Sequence, residues 1–92
     1  MRSRSTPYEE NDMQQTVIVY TAPGCPDCAA VKHYLHEHGQ AFEERDISRP
    51  EVAQEAKTLY DVRIAPITVI GDAFFYGTFQ DQRPKLEAAL QP

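Results

Sequence analysis

The chain has 92 residues, 41% of them hydrophobic and 25% charged, with a formal net charge of −5. That is the size and balance of one globular domain and too little chain for two. There is no basic stripe for a nucleic acid, no apolar run near the ~20 residues a membrane span needs and no apolar signal core at the start, so the expectation is a cytoplasmic protein.

Residues 1–15 are polar and aperiodic and read as a flexible N-terminal tail, with Met13 a second candidate start, ahead of a domain over 16–92. Thr16 to Tyr20 is a continuous apolar run, the pattern of a core strand covered on both faces. Cys25-Pro26-Asp27-Cys28 follows directly. Pro26 suits the first position of a helix, which places Cys25 at the N-cap, where unpaired N–H groups and the helix dipole favour a thiolate. Cys28 lies one turn in, and that spacing brings the α-carbons to about 5–6 Å, within reach of a disulfide. Asp27 suits a first helical turn, yet its charge opposes a neighbouring thiolate.

The cysteine pair has blander readings. Structural disulfides belong mainly to secreted domains with several bridges, and two inert buried cysteines fit poorly with a helix start. His33, His36 and His38 lie one to three turns along the same helix, too far to complete a zinc tetrahedron with Cys25 and Cys28, and read as a solvated face. No metal is expected.

The helix after Pro26 carries Cys28, Val31, Tyr34 and Leu35 on one side and ends at Gly39. Ala41 to Ile47 is charge-laden and reads as an edge strand parallel to the first. Ser48-Arg49-Pro50-Glu51 matches a capping box for a second helix, whose buried stripe is Val52, Ala56 and Leu59, broadened by Ala53 and Tyr60. Pro66 opens an Ile67-Thr68-Val69-Ile70 strand, and Gly71-Asp72 is a two-residue turn into Ala73-Phe74-Phe75-Tyr76, so these two strands are antiparallel. Asp81 reads as the cap of a last helix, with Pro84 in its first turn and Leu86, Ala89 and Leu90 facing inward. Tyr20, Phe75, Tyr76 and Phe79 read as core or rim packing. The order β-α-β-α-β-β-α predicts an α/β domain with a four-stranded mixed sheet flanked by helices.

That order, the stretch from Tyr20 to Cys28 and the approach Arg63-Ile64-Ala65-Pro66 resemble the glutaredoxins of the thioredoxin-fold superfamily over about residues 16 to 90. The resemblance implies a thiol–disulfide oxidoreductase in which Cys25 attacks, Cys28 resolves and Pro66 follows a cis peptide bond facing them. Ala65 would hold an extended substrate segment through its backbone, and Pro26 and Asp27 would tune the dithiol. Two departures concern glutathione. Ala22 stands where many members have a lysine for the glycine carboxylate, and Gly77-Thr78-Phe79-Gln80-Asp81 keeps half of the Gly-Gly-x-Asp-Asp pattern that holds the glutamyl end, leaving Gly77, Thr78 and Asp81 as substrate-binding candidates.

The chain also looks like the glutaredoxin-like hydrogen donors of ribonucleotide reductase. The implied partners are therefore a disulfide-containing protein such as ribonucleotide reductase or a peroxidase, and thioredoxin reductase or glutathione as reductant. No bound cofactor is implied, glutathione would be a co-substrate, and the protein would act as a monomer without nucleic acid or membrane. Two other readings are a non-catalytic redox-sensing or binding module and a glutathione-dependent iron–sulfur carrier. Pro26, which stiffens the turn, and the incomplete glutathione pattern argue against the carrier.

Overall fold

The computed structural model describes residues 16–90; the expected tail over 1–15 and residues 91–92 lie outside that range. The elements are β1 (Val17–Thr21), α1 (Pro26–Glu37), β2 (Glu43–Asp46), α2 (Pro50–Tyr60), β3 (Ile67–Ile70), β4 (Ala73–Tyr76) and α3 (Phe79–Leu90). The four strands form one sheet in the order β2-β1-β3-β4. β1 and β2 run parallel, whereas β3 is antiparallel to both β1 and β4. This is the mixed sheet expected from the sequence.

Period-two alternation along β1 and β3 divides the core between the two faces of the sheet. Val17, Val19 and Ile70 join Val31, Tyr34 and Leu35 of α1 and Leu86 of α3. Tyr20, Ile67 and Val69 join Val52 and Ala56 of α2 and Val62. Thus α1 and α3 cover one face and α2 covers the other. A single helix cannot shield the whole second face, and β4 leaves Phe74 and Tyr76 exposed there, with Phe74 packed on Tyr60 at a centroid distance of 4.9 Å.

Several local expectations are corrected. Arg49 is the N-cap of α2 and makes no side-chain cap bond. The Ser48 capping box does not form, because the Ser48 N–H donates to Asp46 Oδ1 at 2.8 Å in the preceding turn. Leu59 is 60% exposed. The i, i+4 row of α2 through Val52 and Ala56 continues to Tyr60, which turns Leu59 to solvent. α3 begins at Phe79, ahead of the expected cap at Asp81, with Pro84 inside the helix. Thr78 Oγ1 accepts the Asp81 N–H at 3.1 Å and so satisfies one first-turn donor. Pro84 has no N–H for the Gln80 carbonyl, but Gln80 is exposed and water can take that bond. α1 stops as expected at Gly39, whose φ of +65° favours glycine.

A polar tie fastens α2 to the sheet. The hydroxyl of fully buried Tyr20 donates to Glu55 Oε2, which also accepts Arg45 Nε at 2.8 Å, while Arg45 Nη2 donates to Glu55 Oε1. The Tyr20 hydrogen bond first, and Arg45 second, hold the Glu55 carboxyl below the usual carboxylate range. Burial, and then the Glu55 bond, push the Tyr20 hydroxyl far above the ordinary phenol value. Because the folded state lowers the Glu55 value, its contribution is complete above the unfolded carboxylate value of about 4.3 and is lost as pH falls through the depressed folded value. Glu55→Gln should lower Tm near neutral pH by about 4–8 °C, the equivalent of about 1 kcal/mol in a domain of this size. The deficit should shrink as thermal melts are taken below about pH 4, and an equal deficit at all pH values would contradict the assignment.

Candidate active site

The end of β1 and the start of α1 position the cysteines. Cys25 is the N-cap of α1 in extended conformation, with Pro26 the first helical residue. Its Sγ accepts the backbone N–H of Cys28 at 3.1 Å. The two residues are joined as a disulfide with α-carbons 5.2 Å apart. Cys25 is half-buried, whereas Cys28 is 2% exposed and continues the inward row of α1. The same amide is placed to donate to a charged sulfur at the N-cap. A hydrogen bond to a charged group contributes about 1.5–3 kcal/mol and a helix-dipole interaction about 0.3–1 kcal/mol, so the amide is the stronger of the two influences.

Asp27, between the cysteines, reaches across the molecule. Its Oδ1 accepts the Phe79 N–H, the first of α3, at 3.1 Å. The sequence frames Asp27 only as a first-turn residue or a charge opposing a thiolate; here it also accepts the first N–H of a second helix and ties the start of α3 to the cysteine turn. Pro66 is buried at the start of β3, after a cis Ala65–Pro66 bond. The register pairs Tyr20 with Ile67, and one further step sets Pro66 level with Thr21, four residues before Cys25. Ala65 is half-buried, Gly77 has φ +111°, and Thr78 and Asp81 are exposed around the start of α3.

A cleft of about 470 Å³ runs along the other flank of Cys25 and is lined by Thr21, Ala22, Lys32, Glu44 and Asp46 among others. Lys32 Nζ lies 3.0 Å from Glu44 Oε2, which also accepts the Thr21 hydroxyl at 2.8 Å. The Thr21 bond, followed by Lys32, holds the Glu44 carboxyl below its ordinary value. Asp46 is likewise lowered, chiefly by its bonds to Ser48. Both acids are ionised near neutrality. Sequence reasoning passes over Lys32 and Glu44. Lys32 carries a readable signal, four residues beyond Cys28 and so on the same helix face, but Glu44 reaches the cleft only through the parallel pairing of β2 with β1.

Gln82 is also missed. It is fully buried, with Nε2 donating to the carbonyls of Pro66 at 3.0 Å and Gly77 at 3.1 Å, and Oε1 accepting the Thr68 hydroxyl at 2.7 Å. Among the described residues no helix is long and apolar enough to cross a membrane, and no group of acidic, histidine or cysteine side chains could hold a metal ion.

The family model described as glutaredoxin matches residues 17–75. The chain belongs to the glutaredoxin family. A glutaredoxin of Neisseria meningitidis serogroup B is 36% identical over 78 residues, covering 83% of this chain and 92% of that protein. The chain spans only 14% of a Haemophilus influenzae hybrid peroxiredoxin, at 43% identity over 38% of its own length. It spans 60% of the Bacillus subtilis N-acetyl-S-hydroxy-L-cysteine reductase, at 36% identity over 60% of its own length. Among solved structures, the Escherichia coli glutaredoxin-like protein NrdH-redoxin superposes with a TM-score of 0.67 at 28% identity, covering 84% of this chain and 96% of that one. Family and fold agree with a thiol–disulfide oxidoreductase built around the cysteine pair.

The Gln82 bonds make a quantitative expectation. Gln82→Leu leaves the Thr68 hydroxyl and two carbonyls without partners, at about 1–3 kcal/mol for each group that water cannot reach. Urea denaturation should show a loss of at least about 2 kcal/mol, and Thr68→Val in the same background should recover part of it by removing one stranded group. A neutral Gln82→Leu would contradict the arrangement.

Proposed function

We propose that this glutaredoxin reduces protein disulfides by a dithiol mechanism and is recharged better by a flavoprotein reductase of the thioredoxin reductase type than by glutathione. The observation that carries the reading is the asymmetry of the pair, with Cys25 accessible at a helix N-cap and accepting a backbone N–H while Cys28 is buried behind it. The reduced Cys25 thiolate attacks one sulfur of the substrate disulfide, that S–S bond breaks, and the departing thiolate takes up a proton. Cys28, having lost its proton, attacks Cys25 Sγ and expels the second substrate thiol. Two electrons pass to the substrate and the Cys25–Cys28 bond closes. Pro66 and Ala65 flank the exchange and supply backbone for an extended substrate segment. The reducing cytoplasm is the proposed setting.

The reductant preference rests on charge. Glutathione carries two carboxylates. At one end of the site the cleft beside Ala22 holds ionised Glu44 and Asp46 against one lysine, which is already paired with Glu44. At the other end Asp27 takes the Phe79 N–H and Thr78 the Asp81 N–H, so these two α3 amides are occupied before any substrate carboxylate arrives. The solved structure of NrdH-redoxin, whose description gives it a thioredoxin-like activity profile, supports the same preference.

With Cys28→Ser, a disulfide substrate should accumulate as a mixed disulfide on Cys25, identified by mass spectrometry; Cys25→Ser should show no exchange, and a trap formed through Cys28 would overturn the assignment. In steady-state assays run side by side, thioredoxin reductase with NADPH should outperform glutathione. Asp27→Ala should lower the KM for glutathione severalfold by freeing the Phe79 amide. Micromolar glutathione affinity in the unaltered protein would refute the preference.

A further inference from the structure

We infer that the groove between α2 and the chain leading into Pro66 docks an acidic, apolar segment of a partner protein. The groove has a volume of about 430 Å³, with Ile47, Ala53 and Val62 in its lining and Lys57 and Arg63 contributing the cations. Both cationic residues are exposed. Elsewhere among the described residues Lys32, Arg45, Arg49 and Arg83 each pair with a glutamate, and Lys85, in a separate hollow that also holds Asp81, is a lone cation without an ion pair. Among the described residues Lys57 and Arg63 have no carboxylate within ion-pair distance, in a chain whose net charge is −5. An acidic protein that leaves two cations unpaired on one apolar groove offers an attractive site against a repulsive background, which selects carboxylates beside an apolar anchor. Two cations are too few for a phosphate backbone.

The groove also lies at the dithiol end of the sheet. The Ile47 N–H donates to the Thr21 carbonyl at 2.8 Å, four residues before Cys25. Arg63 precedes Ile64, which is 54% exposed, and Ile64 leads directly into Ala65–Pro66. A segment seated in the groove therefore continues along an uncovered apolar side chain toward the cysteines. Delivery of a disulfide to Cys25 from this position rests on the dithiol reading above; the docking does not.

The test separates the two. A cysteine-free peptide of alternating leucine and glutamate, titrated into the oxidised full chain and followed by NMR, should shift the amides of Ile47, Ala53, Lys57 and Arg63. The same peptide with lysine for glutamate should bind at least about tenfold more weakly, and Lys57→Glu/Arg63→Glu should reverse the preference. A matching cystine-containing acidic peptide should show a raised KM with that double variant, while hydroxyethyl disulfide is turned over at the unaltered rate. Absence of groove shifts, or equal binding of both peptides, overturns the docking; groove shifts without turnover of either disulfide overturn the dithiol reading alone. Groove signals that move on dilution, or on neutralising Glu9, Glu10 and Asp12 in the full chain, would assign the groove to a second copy or to the chain's own N-terminal segment and overturn the partner proposal.

Discussion

The side-chain amide of Gln82 fastens α3 to the end of the β3–β4 ladder, one register step beyond the Ile67–Tyr76 pair. Its donors hold the carbonyls at Pro66 and Gly77, and its acceptor holds Thr68 inside β3. One fully buried group thus ties the entry to β3, the exit from β4 and the first turn of α3. Asp27 then fixes the start of α3 to the cysteine turn. Through these two residues the backbone around Pro66 and Gly77 is referred to the dithiol, although neither residue has a sulfur or a substrate to act on. Buried polar groups of this kind act as a unit, because each unmet partner costs more than a satisfied one contributes.

Charge is distributed with the same economy. Lys32 and Arg45 are committed to Glu44 and Glu55, and the acids they hold are kept ionised. What remains is an acidic surface with carboxylates beside Ala22 and a separate cationic groove beyond Ile47. On the proposed reading, glutathione with its two carboxylates and a protein segment with carboxylates would meet different parts of that surface. The distinction between reductant and substrate is in this view electrostatic, while the exchange chemistry belongs to the cysteine turn.

Much of the fold was legible because local chemistry and tertiary context agree. Pro26 and Gly39 bracket α1, Gly71-Asp72 is long enough only for a hairpin, and the apolar run of β1 needs cover on both faces. The failures have two causes, a local competitor and long-range partners. Ser48 has the sequence of a cap, but Asp46 two residues earlier captures its N–H. Gln82 carries no local mark of burial and is buried because Thr68, Pro66 and Gly77 converge on it. Asp27 finds Phe79 across 52 residues. The cysteine pair was readable from its spacing, its place between a core strand and a Pro26-led helix, and the Ala65-Pro66 approach; the residues that hold its surroundings in place are long-range partners, and a single sequence does not show them.

The most direct measurement of the central claim is a brief pulse of iodoacetamide on the fully reduced protein near neutral pH, with both cysteines mapped by mass spectrometry. An accessible thiolate at the α1 N-cap and a buried partner predict alkylation of Cys25 at least about tenfold faster than Cys28. Equal rates, or faster modification of Cys28, would contradict the division of roles on which the account rests.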